Sequence, residues 1–163
     1  MTAAEATLSD PVAQYVTLGI GAETFAVDVG SVREILDMRP IAFMPNAPPY
    51  LLGLIDVRGG GVPVIDLRVK LGLAPVPSTE QTRILVLDIE IAGRPTAIGL
   101  LVDRVFEVAE LEDRRIEPPP DIGVRWRSDY ITGIGRRGGD FVVVFDLGRL
   151  LAGEEAALVA TAA

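Results

Sequence analysis

One pattern is written twice in this chain. Placed over each other, "YLLGLIDVRGGGVPVIDL" (50–67) and "YITGIGRRGGDFVVVFDL" (130–147) coincide at a constant offset of 80. The shared positions are Tyr50/Tyr130, Gly53/Gly133, Gly59/Gly139, Val62/Val142, Val64/Val144, Asp66/Asp146 and Leu67/Leu147. Earlier in each half, "VREI" (32–35) lies over "VFEV" (105–108) at an offset of 73, and a longer proline loop in the second half absorbs the difference. Internal similarity of this kind marks a repeated structural unit. Any two glycine-turned hairpins look alike, but here the Tyr–x–x–Gly and Asp–Leu flanks match along with the apolar alternation.

Each unit reads as short strands. "YVTLGIGAETFAVDV" (15–29) is two alternating runs joined at Gly21–Glu23, a hairpin signature. "GSVREIL" reads as a helical turn or bend, and "PIAFMPNAPPY" as a proline-punctuated loop. "YLLGLIDV" and "VPVIDL" flank Gly59–Gly61, and residues 74–81 have the composition of a linker. In the second half, "RILVLDIEI" and "PTAIGLLV" surround Ala92–Gly93. "DRVFEVAEL", a loop at Pro118–Pro120, and "YITGIG" with "FVVVFDL" around Arg136–Asp140 complete it. Five short strands per half are best accommodated by closure, which removes exposed edges. The expected fold is all-β: two five-stranded barrels, 13–75 and 80–147, forming one domain over 13–153. A C-terminal helix is expected at 146–160 and a flexible tail at 1–12.

Composition bears on chemistry mostly by exclusion. With neither cysteine nor histidine in 163 residues, Cys/His zinc sites, Cys nucleophiles and Ser–His relays are all ruled out. A net charge of −8 argues against a nucleic-acid binder, whose affinity rests on a basic surface. No leader pattern opens the chain and no run approaches a membrane span, so a cytoplasmic protein is expected. Fourteen of the fifteen basic residues are arginine, a type favoured at protein interfaces, although a GC-rich genome produces the same bias.

The candidate residues divide unequally. Gly59–Gly61 feeds Val62, Pro63 and a β-branched run rather than a helix, so the triplet fits a hairpin tip and not a phosphate cradle. Asp66 and Asp146 each precede a possible helical turn and read as N-caps, as do Asp28 and Asp103 at their strand ends. Arg58 leaves the face used by Ile55 and Val57 and should point outward. Trp126 in "VRWRSDY" reads as a loop anchor. Arg114–Arg115 and Arg136–Arg137 read as solvated turn charges.

Four ordered motifs now point one way. "VDVGSVREI", "LGLIDVRGGGVPVIDLRVKLG", "GLLVDRVFEV" and "ITGIGRRGGDFVVVFDLGRLL" together resemble the CheW family, adaptors between chemoreceptors and the histidine kinase CheA. The resemblance spans about residues 13–153. It implies two pseudo-symmetric SH3-like barrels, no cofactor and no catalysis. It further implies a receptor tip in the groove between the barrels, touching Val32, Glu34, Ile35, Gly53, Arg58, Val105 and Val108. The kinase's regulatory domain would dock at Gly99, with Ile98 and Leu100 beside it, and a further contact would close rings within arrays at the membrane. Asp56–Val57–Arg58–Gly59 stands where the family usually has Asn–Leu–Arg–Gly, which would suit a paralogue in a non-flagellar system. The alternative of a different class is a tandem-barrel module for small ligands or nucleic acid. An enzyme is disfavoured, since nothing supplies an activated nucleophile or a metal.

Overall fold

The computed structural model describes residues 14–91, 93–111, 117 and 130–151. The first repeat supplies β1 (Tyr15–Ile20), β2 (Glu23–Asp28), β3 (Val32–Asp37), β4 (Ala42–Phe43), β5 (Leu51–Val57), β6 (Gly60–Asp66) and the short helix α1 (Leu67–Lys70). The second supplies β7 (Arg83–Ile91), β8 (Arg94–Val102), β9 (Arg104–Ala109), β10 (Ile131–Arg137), β11 (Asp140–Phe145) and α2 (Leu147–Leu150). "GSVREIL" is a 3₁₀ turn, Val29–Ser31, running into β3. The expected tail at 1–12, Trp126, Arg114–Arg115, Pro118–Pro120 and the helix beyond residue 151 lie outside the described residues.

The strands form two sheets, ordered β10-β11-β2-β1-β9 and β3-β7-β8-β6-β5-β4. Read in reverse and without β4, the second order is the first with each strand replaced by its repeat counterpart. The duplication is therefore structural, and it reaches fine detail. A bulge interrupts β5 between Leu51 and Gly53, and another interrupts β10 between Ile131 and Gly133. The Asp66 amide donates to Tyr50 O at 2.8 Å, and the Asp146 amide to Tyr130 O at 2.7 Å. Both aspartates cap the helix that follows, accepting from Arg68 N and Arg149 N, as their position before a helical turn predicts.

The sheets do not divide where the linker at 74–81 suggests. The hairpin β1–β2 joins β9, β10 and β11, while β7–β8 joins β3, β5 and β6. Each barrel takes its hairpin from one repeat and its other strands from the next, through the parallel pairs β2/β11 and β6/β8. The expected consecutive barrels, 13–75 and 80–147, are thus interlocked. The local pattern specifies a hairpin and its buried faces. It does not say which of two equivalent copies that hairpin completes.

Burial explains why exchange holds. Val62, Val64, Ile84 and Val86 fill one barrel, and Ala26, Val142, Val144 and Leu111 fill the other. A third, larger core lies between them. There Val16, Leu18 and Ile20 of β1 meet Leu85, Leu87, Ile98 and Leu100 of the other sheet. Strands β7 and β8 are consequently apolar on both faces, hence the unbroken runs "ILVL" and "IGLLV". Each such side chain contributes about 1.5–3 kcal/mol on burial. Parting the barrels would expose enough of them to exceed the ~5–15 kcal/mol net stability of a typical domain.

Candidate functional site

Arg58 and Glu34, far apart in the chain, meet at a seam. Arg58 and Gly59 are the central residues of the β5–β6 turn, both at positive φ (51° and 84°), which is a type I′ hairpin. The matching β10–β11 turn uses Gly138 and Gly139. Arg58 alone among these four positions lacks glycine's freedom, so its backbone is held in a sparsely populated region. The Asp56 carboxylate steadies it by accepting from Gly59 N at 2.7 Å.

From this tip the Arg58 guanidinium reaches across to β3 and bonds Glu34 through two nitrogens, Nη1 to Oε2 and Nη2 to Oε1 (3.1 Å). The two strands lie toward opposite edges of their sheet, so the fork fastens the barrel where its ladder is open. The Arg58 hydrogen bond holds the Glu34 carboxyl below the usual carboxylate range against the opposing effect of desolvation, with Arg33 and Arg39 adding to it. Glu34 is mostly covered, whereas the Arg58 side chain is 72% exposed. Arg58 points outward as expected and remains presentable to a partner.

The other repeat carries the same fastening with different parts. Glu107 of β9 accepts from Arg137 Nε at 2.8 Å, again edge strand to hairpin tip. Arg137, expected to be a solvated turn charge, is therefore an ion-pair partner, and its guanidinium also lies 5.0 Å from the Phe106 ring centre. Phe106 occupies the bulge that Arg33 occupies in β3, and Gly19 leaves its ring room, whereas Arg33 bonds Asp88 at 2.9 and 2.5 Å.

Gly53 is buried with φ 147°, and a Cβ there would lie 1.9 Å from Ala42 O. It shapes the site by letting β4 approach β5. Val32 and Val105 each pack at the margin of the inter-barrel core, while Ile35 and Val108 are exposed at 41% and 51%. Val32, Glu34, Ile35 and Gly53 lie in one sheet, with Arg58 at its β5–β6 turn. Val105 and Val108 belong to the other, so the seven expected positions fall into two groups flanking the large core.

Ile98 and Leu100 are fully buried in that core and Gly99 is buried in the adjacent barrel, where its Cβ would meet Ile84 and Val64. These three present no surface to a partner, and the expected direct contact through them does not fit. An apolar segment in a strand looks the same whether its face meets a partner or the sister barrel. Asp103 differs as well. Instead of capping, it accepts from Gly21 N at 2.7 Å and from Arg68 Nη2 at 2.6 Å, joining the β1–β2 tip to α1 across the two sheets. Those bonds to Arg68 depress its carboxyl, against the opposing effect of burial.

A family model for the CheW-like domain matches residues 14–155. The chain belongs to the CheW family. It is 33% identical to the chemotaxis protein CheW of Klebsiella aerogenes, over 90% of this chain and 86% of that one. With the CheW of Rhizobium meliloti it shares 30% identity over 95% and 97%. The crystal structure of the scaffolding protein TtCheW from Thermoanaerobacter tengcongensis superposes with a TM-score of 0.74. That match has 27% identity and covers 88% of this chain and 94% of that one. CheW membership places the chain among the adaptor scaffolds of chemotaxis.

The sequence did not single out three residues that lie between β3 and β5 of this CheW-family chain. Met38 and Phe43 are exposed, Phe43 at 80%, and Arg39 reaches Asp56 O at 3.5 Å. The available signal was large apolar residues in a proline-rich loop, where no core pattern called for them. A cleft of about 400 Å³ elsewhere is lined by Asp28, Asp88, Glu90 and Asp146. Asp28 and Asp146 serve as caps and Asp88 pairs with Arg33. A phosphate backbone would meet repulsion in that cleft.

Proposed function

We propose that this chain is a non-enzymatic adaptor that joins the cytoplasmic tip of a chemoreceptor to the regulatory domain of CheA. The observation that carries the reading is the Glu34–Arg58 fork: an exposed arginine held in a defined pose by a covered carboxylate, on a barrel that also exposes Ile35. A preorganised guanidinium next to apolar side chains suits a helical segment that offers carboxylate or carbonyl oxygens beside an apolar stripe. Glu34 orients, Arg58 bonds, Ile35 and Val108 add contact area, and Gly53, Val32 and Val105 shape the surface from beneath. The kinase domain meets exposed residues of the barrels, and Ile98, Gly99 and Leu100 support that surface from within. A second such contact would close rings at membrane receptor arrays, with the chain itself on the cytoplasmic side.

The acidic cleft and the net charge of −8 favour this reading over an oligonucleotide-binding tandem barrel. Calorimetric titration of the full chain with a receptor-tip fragment tests it. Arg58→Ala should weaken binding roughly tenfold, as loss of a preorganised charged hydrogen bond does. Unchanged affinity would overturn the assignment of Arg58.

A further inference from the structure

The seam beside Arg58 continues beyond the residues that the family resemblance assigns. Past β3 the chain runs through Met38 and Arg39 into β4, which pairs with β5 through Ala42/Leu54 and Phe43/Gly53. This segment follows the outer edge of β5, while β3 forms the sheet's opposite edge. Ile35 on β3, Met38 after it and Phe43 on β4 are exposed at 41%, 38% and 80%, three large apolar side chains within nine residues. Isolated exposed apolar residues need no explanation, but three in the short stretch that leads from the Glu34 strand into β4 do.

The charges are also uneven. Arg33 is matched by Asp88 and Arg58 by Glu34, each through a two-point fork. Arg39 has no such match among the described residues. Its Nη1 makes one long bond to the Asp56 carbonyl, and its buried Nε has no partner. The buried Nε is closed to a partner, but beyond that one bond the terminal N–H groups of the guanidinium have donors to spare for an incoming carboxylate. The chain's own surplus is acidic, so the cation here is a local exception.

We propose that Arg39 and Phe43 extend the receptor-docking surface and select receptors whose tip presents a carboxylate and a large apolar side chain on one helix face. This rests on the adaptor reading above and adds to it the residues that choose the partner. Arg39 supplies the second cation beside Arg58, and Phe43 with Met38 supplies the apolar lip. Gly53, by letting β4 lie against β5, sets where that lip stands.

The test is calorimetric titration of the full-length chain with a chemoreceptor-tip fragment from the same genome, comparing wild type with Arg39→Gln, Phe43→Ser and Arg58→Ala. Thermal melts confirm that each variant folds. Arg39→Gln and Phe43→Ser should each weaken binding roughly fivefold to tenfold, the range for exposed-to-buried interface anchors. Replacing the tip's acidic residues singly by their amides should identify one whose loss weakens wild type but leaves Arg39→Gln unchanged. If Arg58→Ala binds weakly while Arg39→Gln and Phe43→Ser stay within about twofold of wild type, the selection by Arg39 and Phe43 is wrong and the adaptor reading stands. If wild type itself does not bind the tip, the adaptor reading fails and this inference fails with it.

Discussion

Asp103 is the most informative single residue to remove. Its carboxylate bonds Arg68 on α1 and the Gly21 amide at the β1–β2 tip, tying together strands that belong to different sheets. The side chains of the pair are 15% and 18% exposed. Breaking a fully buried pair costs about 3–5 kcal/mol, an exposed one about 0–1, and an amide bond adds about 1. A mostly covered pair with that amide falls near 2–3 kcal/mol for Asp103→Ala. For a chain of this size that is a fall in Tm of roughly 5–10 °C, measurable by calorimetry or circular dichroism. Arg68→Met alone should cost a similar amount, and the double variant less than the sum, since neither charge is then stranded.

The pH dependence has a definite sign. The Asp103 carboxyl is depressed in the folded chain, so its contribution is complete above the unfolded value of about 3.9. It disappears as pH falls through the folded value. The Tm gap between wild type and Asp103→Ala should hold steady from pH 7 to about 5 and close below about 4. A gap under about 1 °C at pH 7, or one that persists undiminished to pH 3, would refute the argument that this carboxylate clamps the barrels.

Other substitutions probe the site and its support. Gly53→Ala should cost about 2–4 kcal/mol, because a Cβ at positive φ meets the Ala42 carbonyl; a denaturant midpoint equal to wild type would contradict it. Asp66 is a covered cap whose carboxyl is raised, chiefly by burial, so ionisation is unfavourable there and stability improves as pH falls through it. Asp66→Asn should therefore melt at or above the wild-type temperature at pH 7, while Asp66→Ala should lose about 1–2 kcal/mol with the cap. Gly99→Asp places a carboxylate between Ile84 and Val64, costing about 3–5 kcal/mol. Pull-downs should show receptor and kinase binding lost together, and selective loss of kinase binding would show that position 99 reaches the surface.

Much of the fold was legible because the repeat specifies it locally. Alternation marked the strands, Gly59 and Gly139 marked the I′ turns, and Asp66 and Asp146 marked the helices they cap. The exchange of hairpins was not legible. Leu85, Leu87, Ile98 and Leu100 would read identically whether they covered their own repeat or its sister. For the same reason the sequence of Ile98 and Leu100 reads as a contact surface although both are buried. At the site, Arg58 was legible from strand alternation and motif, but its bond to Glu34 depends on closure of the barrel. Arg39 and Phe43 carry no periodic signal; the bond of Arg39 to Asp56 O and the pairing of Phe43 with Gly53 arise only when β4 lies along β5.

As a proposed adaptor, this chain must couple two other proteins by fitting both at once. Receptor-bearing membranes, CheA and the chain should be reconstituted together, and autophosphorylation of the kinase measured with and without the chain. Strong receptor-controlled activity is expected only when the chain is present, and its loss with Arg58→Ala. Equal kinase activity in the chain's absence would contradict it.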